Sequence, residues 1–138
     1  LPPTKQADVL ARTIWGEAGG EAEPEAAMRA VACVVLNRVK RQTYWGKTIA
    51  EVCRKPYQFS CWNSGSTRLP AMRAADARTP NFTLACQIAQ LAVQDQLPDS
   101  TQAATHFYAP KLVAPPRWAQ GRASCARIGG HLFFNNIP

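Results

Sequence analysis

The chain has 138 residues, 46% of them hydrophobic, and sixteen Lys and Arg against nine Asp and Glu give it a net charge of +7. That length and apolar content suit one compact domain, residues 1–138, while the longest strongly apolar run, 30–36, is far short of the roughly 20 residues of a bilayer-spanning helix, so no integral membrane segment is expected. The charge draws the chain toward polyanions, but its basic residues are dispersed (Arg38, Lys40, Arg41, Arg54, Lys55, Arg68, Arg73, Arg78, Arg117, Arg122, Arg127), which reads as a solvated basic surface rather than a nucleic-acid groove.

In chain order, residues 5–18 place Leu10, Ile14 and Glu17 on one helical face, and Gly19-Gly20 closes the pattern. Residues 23–42 open with Pro24 among acids, end among bases, and repeat Met28, Val31, Val35 and Val39 at spacings of three and four, which predicts a central helix. A turn at Gly46 precedes a short helix over 48–53, with Thr48 and Glu51 in capping-box spacing. "PYQFSCWN", 56–63, reads as a loop or short extended piece. A third long helix is expected from Asn81, its cap, with Leu84, Ile88, Leu91 and Asp95 on one face. The last third is rich in proline loops around two aromatic segments, 105–108 and 131–134, which are candidates to pair or to line a cleft. The fold class is therefore α+β, mostly helical, with a small β and loop-rich portion. The eleven prolines and eight glycines are spread out, so no low-complexity linker or fixed-period repeat divides the chain. The opening "LPPTKQ", without methionine, reads as a processed or trimmed chain.

Glu17 carries the chemistry. Apolar neighbours desolvate it and the negative end of a helix dipole disfavours its ionised form, so its pKa is expected to rise, as a general acid requires. The competing reading is a helix frayed at Gly16 that leaves Glu17 solvated or paired to an arginine. Glu21, Glu23, Glu25, Glu51, Asp76, Asp95 and Asp99 are the candidates for a second carboxylate, and none declares itself. Glu21 is a support residue for Glu17 or for the second helix.

Other chemistries lack their signatures. His106 and His131 are the two histidines, with no HExxH, no paired Cys/His spacing, no GxSxG and no phosphate-cradling glycine loop, so neither metal nor cofactor is expected. Of five cysteines, Cys33 reads as a small core residue; Cys53 and Cys61 flank a loop that a disulfide would close, although spacing alone leaves that pairing open. The aromatics Trp15, Trp45, Tyr57, Phe59, Trp62, Phe107, Tyr108, Trp118, Phe133 and Phe134 mostly neighbour polar residues or prolines, a composition suited to a sugar cleft; about half of them, Phe59 and Phe133 foremost, suit a satellite core instead.

Five stretches in order, "ARTIWGEAGGE", "VVLNRV", "PYQFSCWN", "ATHFYAP" and "IGGHLFF", resemble the bacterial cell-wall hydrolase family typified by the spore-cortex-lytic enzymes, from about Leu10 to Phe134. The resemblance implies a lysozyme-like domain similar to lytic transglycosylases and resuscitation-promoting factors. It implies glycan strands of peptidoglycan as substrate and partner, and Glu17 as the acid that cleaves between N-acetylmuramic acid and N-acetylglucosamine to leave a 1,6-anhydro end; a monomer without a nucleic-acid partner is expected. Gln58, Ser60, Trp62, Tyr108 and His131 are the candidate substrate-binding residues, with His106 and Trp118 behind them. An N-acetylmuramoyl amidase and a non-catalytic wall-binding module are the alternatives. The cysteines and the insertion at 62–80 depart from the spore pattern, and the chain has no room for a separate wall-binding module; this favours a periplasmic wall-remodelling enzyme or a phage-encoded lysis enzyme.

Overall fold

A computed structural model describes residues 3–56 and 58–138, with side chains from Lys5 onward; the candidate cleft aromatic Tyr57 lies outside the described residues. Five α-helices come first: α1 (Pro3–Ala18), α2 (Pro24–Arg41), α3 (Ile49–Arg54), α4 (Leu69–Ala74) and α5 (Phe82–Val93). They are followed by three short strands, β1 (His106–Tyr108), β2 (Ala126–Ile128) and β3 (His131–Phe134). The strands form one antiparallel sheet in the order β1-β3-β2, with Phe107 opposite Phe133 and Ile128 opposite His131. Among the described residues no helix is long and apolar enough to cross a membrane.

The central position predicted for α2 follows from burial on two sides. Met28, Val31 and Val35 enter the main core with Leu10 and Ile14 of α1, Val52 of α3 and Ile88 of α5, while Ala30 and Val34 pack on Phe133 of the sheet. Each large apolar side chain removed from water there contributes about 1.5–3 kcal/mol. Pro24 sits in the first turn, Arg38, Lys40 and Arg41 lie in the last, and Gln42 closes the helix at φ 52° by donating to Val39 O. On α3 the capping box is half formed. Thr48 Oγ1 accepts from Glu51 N–H at 3.1 Å, but the Glu51 carboxylate takes the Lys47 N–H instead of that of Thr48.

Several expectations change. Within the 62–80 insertion lies α4, whose buried residues are Leu69 and Met72, too few to show a period. The buried face of α5 is Phe82, Ala85, Ile88, Ala89 and Ala92, so Leu84 and Leu91 are only partly covered and Asp95 is exposed. Asn81 holds the N-cap position of α5, but its side chain makes no cap bond; the residue turns the chain at φ 67°, and its amide donates to Gly19 O at 3.0 Å. The segment β2 was not expected, and it completes the sheet beside β3. Cys33, Cys53, Cys61, Cys86 and Cys125 are all free thiols, so the 53–61 loop carries no disulfide and is held by burial of both its cysteines. Arg38, grouped above with the solvated basic surface, is buried.

Candidate active site

The end of α1 is clamped on three sides, and the clamps place Glu17. The helix does not fray at Gly16: it runs to Ala18, and Gly19 N–H donates to Trp15 O at 2.8 Å. Gly16 is required by close approach, since a Cβ there would stand 2.8 Å from Met72 Sδ and 3.1 Å from Cys61 Sγ. The indole N–H of Trp15 donates to Pro80 O at 2.9 Å. Arg68, from the insertion, lays its guanidinium over the Trp15 ring and points donors at Trp15 O (3.3 Å) and Gly16 O (3.4 Å), offsetting the negative helix end.

Glu17 therefore faces a cleft of about 580 Å³. One wall comes from the helices and the 3₁₀ turn Ser60–Trp62, and it presents Glu17, Arg38, Tyr44, Gln58, Ser60, Cys61, Ser66 and Arg68. The sheet and the long connection between β1 and β2 form the opposite wall, with His106, Tyr108, Leu112, Val113, Trp118 and His131. The expected residues Gln58, Ser60, Tyr108 and His131, together with His106 and Trp118, thus share one cavity with Glu17. Trp62 does not. Its indole N–H donates to the buried Thr13 Oγ1 at 2.8 Å, which turns the ring under α1 and toward a separate groove with Arg54 and Lys55.

Of the described carboxylates, Glu17 alone lines this cleft. Glu21 turns away and accepts from Gly130 N–H at 2.9 Å, with its other oxygen 3.1 Å from His131 Nδ1, an ion-pair distance without hydrogen-bond alignment. Gly129, at φ 58°, leaves the space that Glu21 occupies, because a Cβ there would stand 2.6 Å from Glu21 Oε1. Glu21 thus ties the α1 end to the β2–β3 turn. Asp99 is spent on its own loop, accepting from Thr101, Ala103 and Asn37. Glu25 and Asp76 pair with Arg29 and Arg78; Glu23, Glu51 and Asp95 are exposed outside the cleft.

Burial pushes the Glu17 carboxyl above the ordinary carboxylate range; the Cys61 thiol and main-chain amide, then Arg68 and Arg38, pull it back part of the way. Burial and the nearby Glu17 raise the Cys61 thiol, which keeps it neutral. The imidazoles opposite are moved toward neutrality. His106 drops to about 4 through burial and the nearby Arg38 and Arg41, with its Nδ1 2.9 Å from Thr105 Oγ1. His131 is lowered by burial against the pull of Glu21. Both histidines serve the cleft as neutral hydrogen-bonding rings near neutral pH.

Arg38 and Arg68 were missed. For Arg38 the signal was present: it continues the Met28, Val31, Val35 stripe at a spacing of three, a charge on a core face like Glu17 itself. Arg68 had no such signal, because its role depends on how the insertion folds back on α1.

A mostly helical α+β domain whose cleft lies between a helix end and a small antiparallel sheet has a lysozyme-like fold. The cell wall hydrolase family model matches residues 22–134, and the chain belongs to that family. Glu17 sits just before the matched stretch. A spore cortex-lytic enzyme of Halalkalibacterium halodurans is 31% identical over 129 residues, 92% of this chain; the chain spans about a third (34%) of that relative's length. Among solved structures, the catalytic domain of the germination-specific lytic transglycosylase SleB from Bacillus anthracis matches with TM-score 0.63 and 26% identity, covering 94% of this chain and 93% of that one. The catalytic domain of the Bacillus cereus SleB protein matches with TM-score 0.65 and 27% identity, over 94% of this chain and 88% of that one.

Proposed function

We propose that residues 1–138 form one catalytic domain that cleaves the glycan strands of peptidoglycan between N-acetylmuramic acid and N-acetylglucosamine as a lytic transglycosylase, acting in the bacterial wall. The observation that carries this reading is that, among the described residues, Glu17 is the single carboxylate lining the cleft. Glycosidases that use external water generally place a second carboxylate across the scissile bond to hold or replace that water. With one acid, the nucleophile is best supplied by the substrate.

Glu17, whose protonated form burial favours, gives its proton to the glycosidic oxygen as the C1–O bond breaks, and the leaving sugar departs with a new hydroxyl. The resulting carboxylate takes the proton from the muramic C6 hydroxyl, and that oxygen closes on C1. No water is consumed, and Glu17 ends protonated for the next turnover. Gln58, Ser60, Tyr108 and His131 bind the sugar's amide and hydroxyl groups, and Trp118 offers an apolar ring beside them.

Mass spectrometry of the muropeptides released from purified peptidoglycan by the wild-type chain and by Glu17→Gln tests the reading. Anhydromuramic products that vanish in the variant support it. Products heavier by one water mean hydrolysis, and free stem peptides or undiminished release by Glu17→Gln overturn it.

A further inference from the structure

The least expected group in the cleft is a cation. Arg38 lies in the last turn of α2 and is only 5% exposed. Its Nε donates to Thr105 O at 2.8 Å, and its guanidinium carbon sits 4.8 Å from the Trp45 ring centre and 5.4 Å from that of Phe59. Its Nη1 is buried without a hydrogen-bond partner. Among the described residues no carboxylate stands at ion-pair distance from it. A buried cation with neither counter-ion nor full hydrogen bonding is destabilising, and an apolar residue of similar size would pack that space at less cost. The Thr105 contact explains one nitrogen; it does not explain a charge.

We propose that Arg38 is a positioning residue for Glu17: a permanent cation lining the same cleft that stabilises the carboxylate Glu17 becomes once it has given up its proton. The inference rests on the reading of Glu17 as acid and then base. Burial alone favours the acid form and would leave the second half-reaction with a carboxylate that is costly to form. A neighbouring cation lowers that cost without supplying a proton of its own, because an arginine remains charged even in apolar surroundings. Burial brings Arg38 down to about 10, still charged at neutral pH, while Tyr44, Cys53 and Glu17 favour its charged form.

The titratable and charged groups that line the cleft with Glu17 are Arg38 from α2, Tyr44 after it, Cys61 from the 3₁₀ turn, Arg68 from the insertion, and His106, Tyr108 and His131 from the sheet; Cys53 of α3 is buried and acts on both Glu17 and Arg38. Arg38 in turn also faces Tyr44, Cys53 and His106. Cys61 is neutral. Arg68 is exposed and open to solvent ions, so about 1 M salt, with a screening length of roughly 3 Å, weakens its influence far more than that of the buried Arg38.

The experiment is a ¹³C NMR titration of the Glu17 carboxyl at low and at high salt, in the wild type, Arg38→Met, Arg38→Lys and Arg68→Met, without substrate. Arg38→Met is expected to raise the Glu17 midpoint by about one pH unit at both salt concentrations. Arg38→Lys should restore most of the wild-type value, and the effect of Arg68→Met should fade in high salt. An unchanged Glu17 midpoint in Arg38→Met overturns the proposal and leaves Arg38 as a strut between α2 and β1. Should Arg38→Met not fold, the reciprocal measurement decides: coupling is mutual, so Glu17→Gln must move the Arg38 guanidinium titration down by a similar amount, and an unmoved value overturns the proposal. Neither titration depends on the reaction. A failure of the transglycosylase reading appears instead in the product spectra of Glu17→Gln.

Discussion

The two walls of the cleft are built from different kinds of residue. The helical wall carries charge: Glu17 and Arg38 occupy positions that continue apolar stripes of α1 and α2, and the core that folds the helices also desolvates them. The sheet wall carries aromatic rings and neutral donors. Tyr108 stacks on Phe134 with centroids 5.9 Å apart, Trp118 meets Phe134 edge-on at 5.2 Å, and both imidazoles are held toward their neutral forms. Under the function proposed above, proton transfer belongs to the helical wall, which also lends Gln58 and Ser60 to recognition, while the sheet wall serves recognition alone. The last turns of two long helices hold Glu17 and Arg38 against a packed core, whereas the rings of the opposite wall lie on short strands and a loop.

The largest effect expected from this division is at Glu17. Glu17→Gln should lower kcat by about 10²–10⁴-fold, with binding to peptidoglycan retained, in a turbidity or muropeptide-release assay beside a pull-down. It should also melt at or above the wild-type temperature, since a buried acid costs stability. A variant that loses turnover by unfolding breaks the comparison.

Glu21 provides the internal contrast, four residues further along at the same helix end. It joins the walls through Gly130 N–H and His131, and it does not line the cleft. Glu21→Gln is expected to cost about 1 kcal/mol in urea unfolding, after allowance for the partly exposed pair, while keeping most of the turnover. A loss of turnover matching that of Glu17→Gln would give the sheet-side acid a part in the chemistry.

Trp118→Ala and Tyr108→Ala sharpen the other half. Each removes a ring worth about 0.5–1.5 kcal/mol, so KM should rise roughly 2- to 10-fold while kcat moves less. A kcat loss exceeding the KM change would mean that the sheet wall acts in the transition state as well.

How much of this was legible follows the same divide. The long helices were readable because 3.6-residue periodicity repeats often enough to be seen, and Glu17 stood out as the residue that violates it. The element α4 offers only Leu69 and Met72, and β2 is the three residues Ala126, Arg127 and Ile128; neither is long enough to show a period. Trp62 misled because an aromatic beside polar residues looks like a cleft residue, and only the fold shows its N–H committed to Thr13. Arg38 was overlooked because arginines are usually solvated, although its place on the Val31–Val35 stripe had the same form as the clue at Glu17. Asn37 beside it donates to Ala104 O at 2.8 Å, so this Asn-Arg pair fixes the start of β1, a long-range role that local pattern does not reveal.

The smallest effect concerns acid. His106 has an ordinary value of 6.5 and drops to about 4 in the folded chain through burial and then the nearby Arg38 and Arg41. Between those values the unfolded chain binds the proton that the folded chain refuses. Its contribution to stability is therefore present above pH 6.5 and is lost as the pH falls toward 4. The ring is partly exposed, which reduces the effect, so thermal melts of the wild type should show a modest fall in Tm across this window. His106→Gln keeps a hydrogen-bonding group near Thr105 Oγ1 and cannot titrate, so its Tm should fall less over the same range. Equal slopes in the two proteins would mean that His106 takes up its proton without penalty, and the sheet wall would then gain a charge in mild acid instead of remaining neutral opposite Glu17.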